Sequence, residues 1–207
     1  AQRCRELGID LIVTDHHEPS GDLPVAFSVI NPKRHDCVYP EKNLAGVGVA
    51  LKLVQALCEK TGNSRWLSGF IKIAAIGTLA DVVPLVGENR VIAKIGLELL
   101  SQGPHTVGLR ALLESSGLSG KKLDGFHVSF ILAPRINAAG RMGVQDLATR
   151  LLLVNDESMF GEARELSAKL EDENLKRRNE ESTTVALAKH VIEKDPSVGA
   201  HNILVVY

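Results

Sequence analysis

Four of the five positions in Ile9-Asp10-Leu11-Ile12-Val13 are apolar, and three of those four are β-branched. That pattern predicts a buried strand of a parallel sheet. Residues 1–7 before it read as the tail of a helix closed by Gly8, so the chain opens as the helix–strand half of a βαβ unit. A second short run, Val25-Ala26-Phe27-Ser28-Val29-Ile30, predicts another strand, ended by Asn31-Pro32. From Gly46 onward the apolar spacing lengthens to a helical period. One helix is expected from Gly46-Val47-Gly48 to about Lys60, stopped by Gly62. The next runs through the apolar stretch from Trp66 to Leu79, with Ile71, Ala74, Ala75 and Thr78 at helical spacing. A third covers Asn89 to Leu100, with Val91, Ile92, Ile95, Leu99 and Leu100 as one face and Gln102-Gly103-Pro104 as its stop. Another begins at Leu109, a polar loop spans residues 117–123, and Phe126 to Leu132 lead into Pro134-Arg135.

Beyond residue 155 the composition turns to charged residues and alanine, with Phe160, Ala163, Leu166, Leu170 and later Val185, Ala188 and Ile192 at helical intervals. Neither Pro nor Gly interrupts residues 162–195, and residues 171–182 are polar apart from Leu175. A helix of that length with a polar middle exceeds what one compact domain needs. It predicts a connecting helix over 156–196, ended by Asp195-Pro196-Ser197, between a first domain at 1–155 and the start of a second at 197–207. The first residue is Ala1 rather than Met, and the last five form an apolar run, so both ends read as cut from a longer chain.

With 207 residues, 44% hydrophobic and 24% charged, the chain fits a soluble globular protein with a sizeable core. Its formal net charge of −1 gives no global basic field, so a polyanion site has to be a local patch. Cys4, Cys37 and Cys58 form no Cys-x-x-Cys pair and read as reduced thiols of a cytosolic protein, with no zinc site expected. No apolar run reaches membrane-spanning length, and no signal peptide is visible.

Candidate chemistry is concentrated at Val13-Thr14-Asp15-His16-His17-Glu18-Pro19, where the first strand ends. In open α/β sheets the carboxyl ends of strands are where ligands bind. One imidazole can take a metal while the other faces a substrate, with Asp15 holding a ring nitrogen. A bare triplet of this kind also serves as solvated loop residues. Asp81, the only charge between Lys72 and Glu88, shifts the balance, because a lone carboxylate in so apolar a stretch is expected to be buried and to need a partner or cation. Histidine with aspartate suits ions of intermediate hardness such as Mn²⁺. Gly46-Val47-Gly48 allows either close helix–sheet packing or approach of a phosphate. Arg135, Asn137 and Arg141, spaced by Ala138-Ala139-Gly140, can grip phosphate or pair with acidic neighbours inside the fold. His35 reads as a solvated loop histidine, and Lys176-Arg177-Arg178 as a solvated helix face within reach of nucleic acid.

Four segments carry a family resemblance. Val13-Thr14-Asp15-His16-His17 resembles the signature of the DHH phosphoesterases, and Gly77-Thr78-Leu79-Ala80-Asp81-Val82-Val83-Pro84 resembles that family's last metal-binding motif. Leu44-Ala45-Gly46-Val47-Gly48-Val49-Ala50 and Ala133-Pro134-Arg135-Ile136-Asn137-Ala138-Ala139-Gly140-Arg141 are similar to its branch of single-strand-specific 5′→3′ DNA exonucleases. The resemblance implies an α/β fold, the carboxyl-terminal part of a DHH-type parallel-sheet domain followed by helices and the connecting helix. It implies hydrolysis of single-stranded DNA to mononucleotides in repair and recombination, at a two-metal site of Mn²⁺ or Mg²⁺ completed by residues outside this segment. His16 and Asp81 would be metal ligands, His17 would contact the scissile phosphate or the attacking water, and Asp15 would orient an imidazole. Which histidine takes the metal is left open. Arg135, Asn137 and Arg141 would hold the DNA backbone, and a single-strand-binding protein and a helicase would be partners. The family's Asp-rich first motif and second carboxylate motif are absent and would precede Ala1, and its Gly- and His-rich carboxyl-terminal motif would follow Tyr207. The segment alone is therefore expected to be inactive and to bind Mn²⁺ weakly. Alternatives are a phosphodiesterase of short oligonucleotides or cyclic dinucleotides, and a non-catalytic replication scaffold of the same fold.

Overall fold

The computed structural model describes residues 1–19, 21–141, 143 and 146–194. A short helix α1, Gln2–Glu6, leads to strand β1, Ile12–Thr14, which pairs in parallel with β2, Ser28–Ile30. Register sets Ile12 opposite Ser28, Val13 opposite Val29 and Thr14 opposite Ile30. The parallel pairing agrees with the apolar runs, but the strands are shorter than those runs and are not buried: Ile9 and Ile12 are half-exposed. Parallel strands are buried when further strands and helices cover both faces. Among the described residues only two strands form, and little covers the Ile12 side.

The helices carry the core. After α2, Gly46–Lys60, comes α3, Leu67–Ala80, and then α4, Gly87–Gln102. Apolar or small apart from Lys72, α3 is buried on opposite sides, as such a composition requires. Its Ala74 and Ala75 pack with Leu44, Val49, Leu51 and Ile92, while Ile76 and Leu79 join a larger cluster. That cluster is completed by α5, Val107–Ser115, a π-helical turn, His127–Leu132, that runs into α6, Ala133–Arg141, and by α7, Asp146–Leu153.

Two expectations about faces change. The buried side of α4 is Ile92, Ala93, Gly96 and Leu100, while Val91 and Ile95 are well exposed. Gly96 is the reason: without a side chain it lets α4 lie directly on Ala75 of α3, which places Val91 and Ile95 beside the contact instead of in it. The long helix α8, Phe160–Lys194, forms as its composition predicts, yet its first turns are not a free connector. Ala163, Leu166, Ser167, Leu170 and Asn174 are buried against α5, α6 and α7, whereas Leu175, Val185, Leu187 and Val191 are exposed. The expected helix stop at 195–197 and the strand over 203–207 lie outside the described residues. No described helix is long and apolar enough to cross a membrane.

Candidate metal centre and adjoining cleft

The last rung of the sheet is the bond from the Asp15 amide to the Ile30 carbonyl, 3.0 Å. There the Asp15 carboxylate accepts the His16 amide at 2.8 Å and the His17 amide at 3.3 Å, which turns the chain and breaks the alternation of a strand. Both imidazoles consequently stay near one another, with ring centroids 4.4 Å apart and planes inclined at 53°. Asp15 also bonds the His17 ring through Nδ1, 2.7 Å. Burial raises the Asp15 carboxyl, but the His17 ring and the two amides outweigh it and hold it below the ordinary carboxylate range. Buried Asn31 fixes the turn from behind, its Nδ2 donating to the His17 carbonyl at 2.9 Å.

His16 has a different carboxylate partner. Its Nε2 lies 3.5 Å from Asp81 Oδ2, and its side chain is 17% exposed. Gly46, first residue of α2, closes over the ring: a Cβ there would meet His16 Cδ2 at 3.1 Å. Within Gly46-Val47-Gly48, Gly46 thus packs on the imidazole, whereas Gly48 packs on Leu44 and Ile92.

Asp81 caps the carboxyl end of α3, and its setting differs from the expected one. Its side chain is 39% exposed, and Val82, Leu85 and Val86 after it are exposed as well. The apolar stretch is a buried helix only as far as Ala80. Val82 then takes φ +57°, a left-handed conformation costly for a β-branched residue, and turns the chain to the surface. The carboxylate therefore needs no buried partner, and it stands, partly in solvent, beside the largely buried His16 ring.

Next to Asp81, Ala80 lines a cleft of about 710 Å³ between α6, α8 and the π-helical turn, with Phe130, Arg135, Asn137, Arg177 and Arg178 on its walls. Ser129 Oγ donates to the Leu79 carbonyl at 3.0 Å and fastens this wall to the end of α3. Arg135 is committed within the fold, pairing with Glu171 of α8 and donating to the Ile131 carbonyl at 2.6 Å, so it reaches the cleft as a locked wall residue. Asn137 faces the same space, and Arg141 ends α6 with its side chain outside what the structure describes. The run Lys176-Arg177-Arg178 is divided by helix geometry: Lys176 pairs with Glu173 away from the cleft, whereas Arg177 and Arg178 line it. His35 is exposed, as its loop setting suggested. Asn31 and Val82 carried no chemical signal in the sequence, where Asn31-Pro32 read only as a strand stop.

Strand β1 of the parallel pair thus ends in Asp15-His16-His17, and the buried helix α3 delivers Asp81 beside His16. The chain matches the DHH family, N-terminal domain, over residues 1–78. It is similar in particular to the single-stranded-DNA-specific exonuclease RecJ. The RecJ of Bacillus subtilis (strain 168) is 41% identical over 194 residues, a match covering 94% of this chain and 24% of that protein. A crystal structure of exonuclease RecJ bound to manganese superposes with a TM-score of 0.78 at 38% identity, covering 95% of this chain and 48% of that one. RecJ from Thermus thermophilus in complex with Mg²⁺ gives 0.71 at 37% identity, over 92% of this chain and 27% of that one. The chain thus spans about a quarter of the length of the Bacillus subtilis relative.

Proposed function

We propose that this chain is the part of a divalent-cation-dependent 5′→3′ exonuclease that supplies one histidine and one carboxylate to the metal site and one wall of the cleft for single-stranded DNA. The observation that carries the reading is the convergence of His16 Nε2 and Asp81 Oδ2 to 3.5 Å, with the Asp81 side chain partly in solvent. An imidazole nitrogen and a carboxylate oxygen at that spacing fit the first coordination shell of Mn²⁺ or Mg²⁺. Among the described residues no third donor joins them, so the pair fills part of a shell whose other positions fall to water and to donors elsewhere in the protein. A divalent ion bound there supplies electrostatic stabilisation for phosphodiester hydrolysis. His17, highly exposed and held by ionised Asp15, is placed to hydrogen-bond a phosphate oxygen or the attacking water. Asn137, Arg177 and Arg178 face the strand's backbone and Arg135 stiffens the wall they stand on; Arg141 is a candidate phosphate contact from the sequence pattern alone. The exposed half of α8 reads as the connector to a second domain, and we propose a single-strand-binding protein and a helicase as partners and a cytoplasmic location for the whole protein.

Activity is to be measured on the full-length protein. His16→Ala and Asp81→Ala are each expected to lower Mn²⁺-dependent release of mononucleotides from 5′-phosphorylated single strands by at least about a hundredfold. Their melting temperatures should stay near that of the parent protein. Full activity in Asp81→Ala, or a preference for dinucleotides over long strands, would overturn the reading.

A further inference from the structure

The π-helical turn and the residue before it present an unusual pair of side chains. Val128 and Leu132 point inward and are fully buried, while Phe126 and Phe130, offset by two positions, point outward with 62% and 68% exposure. Their ring centroids are 5.0 Å apart and their planes are inclined at only 30°, so they form one broad aromatic step. The base beneath them is rigid. Asp124 accepts the His127 amide at 3.0 Å and bonds its ring, and Ser129 ties the turn to Leu79. Phe130 shares the cleft with Arg177 and Arg178, and Ala80, which precedes Asp81, lies on the same wall. Glu181 pairs with Arg177 at 2.9 Å, whereas Arg178 has no carboxylate partner among the described residues.

We propose that Phe126 and Phe130 form a nucleobase-stacking step, on which a base of the single strand lies while its backbone passes Arg177 and Arg178. This rests on the exonuclease reading given above and adds the element that grips the strand independently of sequence. Sites for single strands combine a basic groove with exposed aromatic rings, because every base has a π-face and only unpaired bases can offer it. Exposed, near-parallel rings beside unpaired guanidinium charge suit that ligand. An apolar peptide would leave the arginines unused, and a duplex would have no free base face to give.

The test uses the full-length protein and strand binding followed by fluorescence anisotropy with chelator present, so that turnover cannot intervene. A 5′-phosphorylated oligonucleotide carrying one abasic residue is moved through successive positions. The parent protein should lose about tenfold in affinity at one register. Phe130→Leu, which keeps an apolar side chain on the turn, should bind the intact strand about tenfold more weakly and no longer respond to the abasic register. Phe130→Trp should restore both properties. Unchanged binding by Phe130→Leu, or an abasic series without a sensitive register in the parent, overturns the stacking step even where exonuclease activity is normal. Absence of that activity from the parent protein is a failure of the exonuclease reading instead.

Discussion

Gly46 is a residue whose meaning depends wholly on its neighbour. It begins α2, where any small residue would serve, but the space beyond its Cα is filled by the His16 ring. A methyl group at 3.1 Å from Cδ2 obliges the imidazole to give by a few tenths of an ångström. Reacting groups tolerate little misplacement, and errors near about 1 Å cost about a hundredfold in rate. Gly46→Ala in the full-length protein is therefore expected to lower Mn²⁺-dependent hydrolysis by roughly tenfold with little change in thermal unfolding. A variant with full activity would show that the ring is free to move. The glycine was visible in the sequence; that it faces an imidazole was not, because residues 16 and 46 meet only after the strand and the helix have packed.

At the level of elements, the α3–α4 contact governs how Asp81 is delivered. A Cβ on Gly96 would lie 2.1 Å from the Ala75 Cβ and 3.0 Å from the Ile71 carbonyl oxygen. Gly96→Ala must push the two helices apart, and overpacking of this kind costs about 1–3 kcal/mol. Denaturant unfolding should show that loss, and Ala75→Gly in the same chain should recover part of it. Helices were the most readable elements, since a helical period survives in α2, α3, α4 and α8 whatever surrounds them. Which side of α4 is buried was not readable, because several apolar positions compete and a glycine decides. In α8 the first and second halves have similar composition, and only the presence of α5, α6 and α7 beside the first makes it core.

On the scale of the whole molecule, a polar network holds the loop before α2 onto the start of α4. Tyr39 donates to Glu88, Lys52 donates to the same carboxylate at 3.0 Å, and buried Asn89 accepts the Ala45 amide at 3.2 Å. Burial raises the Glu88 carboxyl, but Tyr39 and Lys52 more than offset it and leave it below the ordinary range. A carboxyl depressed in the folded state adds stability that is complete above its unfolded value and is lost as pH falls through the folded one. Glu88→Gln should therefore be less stable than the parent at neutral pH, by an amount that is constant above about pH 5 and shrinks toward acid. Urea unfolding between neutral pH and about pH 3 measures this; a difference independent of pH would place the stabilisation elsewhere.

The amino-acid sequence by itself determined the periodic elements, the parallel strands, the residue types at the candidate site and the likeness to the DHH family. Each depends on spacing along the chain or on short contiguous motifs. Tertiary structure alone decided that His16 meets Asp81 while His17 is held by Asp15, that Asp81 stands at the surface, and that Arg178 and Phe130 share a cleft. Most of those relations join residues far apart in the chain, and the directions in which their side chains point are set by packing around α3, which no local pattern encodes.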